Sequence, residues 1–504
     1  MGGNRASRGP HRAPRGDLVT DRAADLAAVN QPERVRAQIA EFLATHDDPR
    51  VSDALTVTGG AGFDLVVRAA RAVTPDGMIA CEVGVRGGRI AAVEALGSGL
   101  SAATVVELAD DETLLPGVVD AHVHVNEPGR TDWEGFRTAT LAAAAGGVTT
   151  IVDMPLNCIP STVTAEALEF KQLVATGQTF VDVGFWGGAV PGNRTHLRAL
   201  QEAGVFGFKC FLLDSGVPEF PPLTTELLED YLTTIGAFDG LMIVHAEDAE
   251  TIAHAPQPHG SRYADFLGSR PREAENLAIA AVIERARRTG ARVHILHLSS
   301  SDALPMLRAA KRDGIDITAE TCPHYLALVA QDVPNGGTAY KCCPPIREAS
   351  NRDLLWDALA DGTIDYIASD HSPSTVELKD LAGGDFGTAW GGIASVQLQL
   401  AVVWTEARRR GIALEQVSQW LSAAPASRIG LRHKGKIALG YDADLVVFAA
   451  DEEFTVDARK LHHKNPVTAY DGKNVTGGVH ATFVRGVRVD FEHPRGRLLQ
   501  HGTD

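Results

Sequence analysis

From about residue 116 onward, short apolar runs alternate with segments of helical period. The runs are GVVDAHVHV, TTIVDMP, VDVGFWGG, VFGFKCFL, LMIVHAED, RVHILHLSS, DITAETCPHYL and DYIASDHSP. Stretches such as WEGFRTATLAAAAGG between them are long enough for a helix, which predicts parallel strands covered on both faces. Eight such units over roughly 320 residues fit an α/β fold, a distorted (β/α)8 TIM barrel with loop insertions. In that architecture the chemistry lies at the strand C-termini.

The flanks have a different texture. FDLVVRAARAV and MIACEVGVRGGRIAAVEAL, and later GKIALGYDADLVVFAADEEFTV and ATFVRGVRVD, are short β-branched runs punctuated by PDG and GG turns. The simplest assembly pairs them as one small discontinuous β-sandwich. The expected organisation is therefore an N-terminal extension (1–58), the first portion of the sandwich (59–115), the barrel (116–434), and the remaining portion of the sandwich with a C-terminal tail (435–504). Within the extension, Arg5, Arg8, Arg12 and Arg15 lie among Gly, Pro and Ser, a composition that cannot form a core, so residues 1–16 are expected to be disordered. Leu26, Val29, Val35, Ile39, Phe42 and Leu43 predict one or two short amphipathic helices broken near Pro32. The Arg-rich, acid-free start also fits an organelle transit peptide, but a start-site extension is preferred, and removal of residues 1–55 is expected to leave activity intact.

Composition narrows the function. The 504 residues carry 47 Lys and Arg against 64 Asp and Glu, a net charge of −17 that repels polyanions and makes nucleic acid a poor partner. No run approaches about 18 uncharged apolar residues and no secretory signal is visible, so no membrane partner is expected. The six cysteines are sparse and form no CxxC pair, which points to the reduced cytoplasm. Asn193 and Asn474 are then chance sequons.

Ionisable residues gather where the apolar runs end: His122, His124, Lys209, His245, His297 and Asp370. Side chains two apart on a strand share a face, so His122 and His124 can converge on one metal. Any single histidine here is more often structural; the case rests on several falling at run ends. Lys209 would be costly to bury without compensation. Either an acid such as Asp370 pairs with it, or its amine has captured carbon dioxide to become a carbamate able to bridge two cations.

PGVVDAHVHVNEPGRTDWEGF followed by AAAAGGVTTIVDMPLN resembles the metal-binding signature of the cyclic amidohydrolases, and NEPGRTDWEGF resembles the allantoinase branch of that family. The resemblance continues through GFKCFLLDSGVPEF, HLSSSDALP, AETCPHYL, CCPPIRE, ASDHSP, WGGIASVQ and DADLVVF, from about residue 63 to 490. It implies a distorted barrel, a small β-sandwich and two divalent metal ions, zinc most often. His122, His124 and Asp370 would bind the first metal, and His245 and His297 the second. Lys209, as N6-carboxylysine made with CO2, would bridge them. The same donors also suit cobalt, manganese or nickel. Such a centre acidifies water and polarises a carbonyl, and Asp370 would carry a proton from the water to the departing ring nitrogen. A homo-oligomer, a tetramer in many relatives, is also implied.

Asn126 bears on the choice of substrate. Dihydroorotases usually place an arginine there to meet a carboxylate; a neutral asparagine favours a neutral cyclic amide, and allantoin, opened to allantoate, is one. Hydantoinases and dihydropyrimidinases also take neutral rings, but usually carry an oxyanion-stabilising tyrosine after the lysine. Here CFLLDSGVPEF follows Lys209 and has none. The donor is expected near Ser299 or Cys343 instead. A non-catalytic dihydropyrimidinase-like assembly protein is the rival from another class, although such relatives lose ligands and this chain keeps all six. Asn157 is a substrate contact by resemblance or a turn cap by chemistry. His324 is expected to support the site from behind, and Trp390, Gly391 and Gly392 to shape a loop over its mouth. Cys342 and Cys343 are expected to be structural rather than nucleophilic, and His462 and His463 to lie at the surface of the outer β module.

Overall fold

The computed structural model describes residues 29–46 and 62–503. The first flank folds into β1 (Phe63–Thr74), β2 (Gly77–Arg86), β3 (Arg89–Ala95), β4 (Ala102–Glu107) and β5 (Glu112–Pro116). Next come β6 (Val118–Val123), β7 (Val148–Asp153), β8 (Asp182–Phe185), β9 (Gly187–Gly188) and β10 (Phe208–Phe211). They are followed by β11 (Leu241–His245), β12 (Arg292–Ile295), β13 (Ile317–Thr321) and β14 (Tyr366–Ile367). The second flank gives β15 (Leu445–Thr455), β16 (Asn474–Val484) and β17 (Val487–Arg488).

The flanks build one eight-stranded sheet in the order β17-β16-β15-β5-β1-β2-β3, with β4 also on β1. The joint between the two ends of the chain is the antiparallel ladder of β5 and β15, in which Leu114 faces Val447. The Pro75-Asp76-Gly77 turn links β1 to β2, and its glycine sits at φ 101°, where a side chain would be strained.

The central region forms parallel strands in two arcs, β6-β7-β8 and β9 to β14. Each of the eight apolar runs supplies strand, the third split into β8 and β9 at Trp186. Trp186 N donates to Asp153 O (2.9 Å) across the split, and a parallel bridge between Val123 and His371 joins β6 to the end of the last run. The helix Arg272–Thr289 illustrates the local logic of the connections. Glu273 and Glu275 occupy its first turn, Arg287 and Arg288 its last, and Gly290 ends it in the left-handed conformation. This helix also delivers Glu275, whose carboxylate accepts from Ser299 N (2.9 Å) and Ser300 N (3.0 Å) and so fixes the loop after β12.

Where strand starts meet the outer sheet, Lys434 is buried among three carboxylates, with Asp444 at 2.7 Å, Asp182 at 2.8 Å and Asp442 at 3.1 Å. Arg485 also pairs with Asp182. In the N-terminal extension, a helix spans Pro32–Thr45. Pro32 opens this helix, because proline lacks only an N–H that the first turn leaves unused, and the segment in which a preceding helix is expected lies outside the described residues. The expected disordered tail, 1–16, and the rest of the extension other than 29–46 lie outside the described residues. Among the described residues no helix is long and apolar enough to cross a membrane.

Candidate metal centre and substrate cavity

The ends of the parallel strands surround a cavity of about 450 Å³, and all of His122, His124, Lys209, His245, His297 and Asp370 line it. His122 and His124 come from the end of β6, Lys209 from β10, and His245 is the last residue of β11. His297 and Asp370 follow β12 and β14 in the left-handed region, at φ 36° and φ 44°. Non-glycine residues held there cost on the order of 1–3 kcal/mol each and persist where neighbours fix them. At Asp370 the fixing contacts are Ser372 Oγ, which donates to Asp370 O (2.8 Å), and Ser369 Oγ, which accepts from His371 N (3.0 Å).

The side chains converge. Imidazole centroids of His122 and His124 are 5.5 Å apart, those of His122 and His297 5.4 Å, and those of His245 and His297 4.5 Å. Asp370 Oδ1 lies 3.1 Å from His122 Nε2 and 3.6 Å from His124 Nε2. His245 stacks on Phe211 at 4.5 Å, and Lys209 Nζ sits 4.7 Å from the centre of the same ring. One donor atom from each of His122, His124 and Asp370 lies within 4.8 Å of the others, a buried candidate metal site.

Carboxylates behind the imidazoles set their orientation. His122 Nδ1 donates to Glu320 (2.5 Å), leaving Nε2 turned to Asp370. Glu320 also meets His294 (3.1 Å), which stacks on Tyr366. His245 Nε2 donates to Glu247 (2.7 Å), and Arg270 pairs with the same oxygen (2.5 Å). Burial pushes Glu320 and Glu247 up, but the cations and hydrogen bonds beside them win and hold both carboxyls at about 2. For His122, burial is outweighed by Asp370 and Glu320, which lift it to about 9, whereas burial dominates at His124 and lowers it to about 4. Burial likewise lowers Lys209 to about 8.

Buried polar atoms are normally paired, and here several are not. His124 Nδ1 and His297 Nδ1 have no hydrogen-bond partner, His122 Nε2 has only Asp370 Oδ1 at 3.1 Å, and Lys209 Nζ makes neither a hydrogen bond nor an ion pair among the described residues. A set of imidazoles, one carboxylate and one amine with unspent lone pairs fits a cation chemically, and no other buried polar group among the described residues satisfies them.

The expected substrate contacts divide. Asn157 (φ 65°) and Cys343 line the cavity, as do Trp390, Gly391 and Gly392. Asn126 and Ser299 are fully buried outside that lining. Asn126 Nδ2 donates to Pro373 O (3.3 Å). Ser299 spends its hydroxyl on Pro345 O (2.6 Å) and its N–H on Glu275. His324 is fully buried behind the site with both ring nitrogens unpartnered, and burial lowers it to about 4. Cys342 and Cys343 are free thiols pushed up by burial. His463 corrects the surface assignment: it is buried, with its ring 5.9 Å from that of His371, while His462 is exposed. The residues that sequence reasoning missed are Glu320, Glu247 and Arg270. Glu247 had a signal, since it lies two positions beyond His245; the others need the strand neighbours to be known.

The profile of the amidohydrolase family matches residues 113–489. The chain belongs to that family. Its sequence is 56% identical to the allantoinase of Streptomyces avermitilis over 440 residues, 86% of this chain and 98% of that protein. With the allantoinase of Saccharomyces cerevisiae it shares 50% over 380 residues, 74% and 82% of the two chains. Among solved structures, the L-hydantoinase of Arthrobacter aurescens superposes with a TM-score of 0.83 at 30% identity, covering 87% of this chain and all (100%) of that one.

Proposed function

We propose that this amidohydrolase hydrolyses the hydantoin-ring amide of allantoin to allantoate, a step in purine breakdown. The observation that carries the proposal is the 56% identity maintained over 98% of a curated allantoinase. The cavity supplies chemistry suited to it. His122, His124 and Asp370 would hold one divalent ion, His245 and His297 a second, and Lys209 as N6-carboxylysine would bridge them. Zinc is the first choice, with cobalt, manganese or nickel also suited to these donors. Such ions supply Lewis acidity, which acidifies water and polarises an amide carbonyl.

The residues of the chain have distinct tasks around that chemistry. Asp370, held ionised 3.1 Å from His122, takes a proton from the attacking water and returns it to the ring nitrogen. Oxygen thereby bonds to the carbonyl carbon as the carbon–nitrogen bond breaks, and a carboxylate and an N–H result. Glu320 and Glu247 keep His122 and His245 in the tautomers that leave a lone pair toward the cavity. Asn157 and the segment at Cys343 are the assigned ring contacts and oxyanion donors, because they reach the cavity. Ser299, committed to Pro345, shapes the wall from behind, whereas Asn126 spends only its Nδ2 on Pro373 and keeps an unpartnered Oδ1. The sheet of the two flanks is read as curling into the expected small sandwich around residues 59–115 and 435–504. A homotetramer working in reducing cytoplasm is included in the same proposal.

The test is a turnover comparison on allantoin, hydantoin, dihydrouracil and dihydroorotate with metal-replete protein. Allantoin is expected to have the highest kcat/KM. Preference for hydantoin or dihydrouracil would move the protein to the hydantoinases, and absence of any turnover would favour the assembly protein.

A further inference from the structure

The segment 29–46 lies outside the matched family region, 113–489, yet it is tied to the substrate cavity. Val35 is fully buried, and Phe42 meets Phe170 edge-on at 6.1 Å, so the helix Pro32–Thr45 docks on the barrel helix Ala165–Ala175. Just ahead of the docked helix, the Asn30 side chain joins two loops. Its Oδ1 accepts from Ser161 N (2.9 Å), and its Nδ2 donates to Glu219 O (2.8 Å). Ser161 belongs to the loop that carries Asn157, and Glu219 to the loop whose Asp214, Ser215 and Gly216 line the cavity.

The connection continues inward. The buried Glu219 carboxylate pairs with Arg130 (2.5 Å), and the same Arg130 nitrogen donates to Asn157 O (2.6 Å). Asn157 is on the cavity wall at φ 65°, a left-handed conformation that asparagine tolerates and that the Arg130 contact to its carbonyl helps to fix. We infer that Asn30, anchored by the docked helix, is a positioning residue that holds the two loops in register and so fixes Asn157 against the substrate. Asn30 and the helix Pro32–Thr45 then contribute to substrate binding, whereas composition alone predicts that residues 1–55 can be removed without effect. The inference rests on the assignment of this cavity to allantoin.

The experiment uses the full chain with Asn30→Ala, which cuts both loop contacts, and Val35→Asp, which undocks the helix. With metal content checked for each, KM for allantoin is expected to rise about three- to tenfold while kcat stays within about twofold. Asn30→Asp, which keeps the acceptor and loses the donor, should fall between wild type and Asn30→Ala. Hydrogen exchange at residues 157–162 and 216–220 should quicken in Asn30→Ala. Unchanged KM and exchange in both main variants would overturn the inference. So would a parallel fall of kcat and metal content, which marks general loss of fold. Failure of wild-type protein to turn over allantoin would sink the functional proposal instead, and the exchange measurement would still decide this one.

Discussion

Two clusters of buried charge occupy opposite ends of the barrel strands, and they are wired differently. At the strand starts, Lys434 lies within 3.1 Å of three carboxylates, and Arg485 adds a second cation, so opposite charges face one another throughout. At the strand ends, His124 Nδ1 and His297 Nδ1 lack partners, as do both ring nitrogens of His324 behind them, and Lys209 Nζ sits against an aromatic ring without an ion pair. Both clusters bear the desolvation cost of buried charge. The first recovers it throughout with protein groups, the second only in part, through the Glu320–His122 and Glu247–His245–Arg270 pairs. A self-contained cluster welds barrel to sheet; the other leaves donors of a kind that fit a cation, with His122, His124 and Asp370 as the candidate site.

The contrast can be broken most forcefully at its two lysines. Lys209→Ala should lose more than about 10⁴ in turnover and most bound metal, with partial rescue by short-chain carboxylic acids, as metal analysis and kinetics on the same sample would register. Full metal content and activity without rescue would remove the bridging carbamate. Lys434→Met should behave oppositely: turnover per folded molecule is retained, but stability falls by about 3–5 kcal/mol because buried carboxylates lose their cation, a shift that denaturant unfolding measures.

Next in size, Asp370→Asn should lower kcat by between about 10² and 10⁴, with metal content measured in parallel to separate proton transfer from metal loss. Glu247→Gln and Glu320→Gln leave every proposed ligand in place and remove only its orientation. Each should cost about 10- to 100-fold in metal affinity or activity. Effects of wild-type size would mean that those carboxylates serve the packing alone.

The smallest expected effect is acid sensitivity at the welded end. Burial pushes Asp182 up, but Lys434 and Arg485 pull it down to about 2 in the folded protein. A depressed carboxyl contributes stability that is complete above its unfolded value, about 4, and is lost as pH falls toward 2. Asp444, which burial raises, acts in the opposite sense and blunts the loss. Unfolding free energy should therefore decline modestly between about pH 4 and 2, and Lys434→Met should flatten that decline.

The barrel is legible in the sequence because a parallel strand covered on both faces leaves an apolar run whatever its neighbours are. The proposed metal donors are legible because they stand where those runs stop. Glu320 is not, since an acid inside AETCPHYL acquires meaning only when β13 brings it to His122 and His294. His463 gives no sign of its burial because its segment folds back to the ring of His371, a contact with no local signature. The helix Pro32–Thr45 is legible from Val35, Ile39, Phe42 and Leu43, and it begins at Pro32 because the first helical turn accommodates proline. Ser299 has the right chemistry for a donor, but Pro345 and Glu275 use it. Composition could not reveal the reach of Asn30 across the barrel surface to Glu219.

The most direct test is a metal titration of chelator-stripped protein in bicarbonate buffer, following allantoate release and bound metal together. The account predicts negligible turnover without metal and a rise that saturates at two ions per chain. Allantoin hydrolysis that persists undiminished in metal-free protein would contradict it.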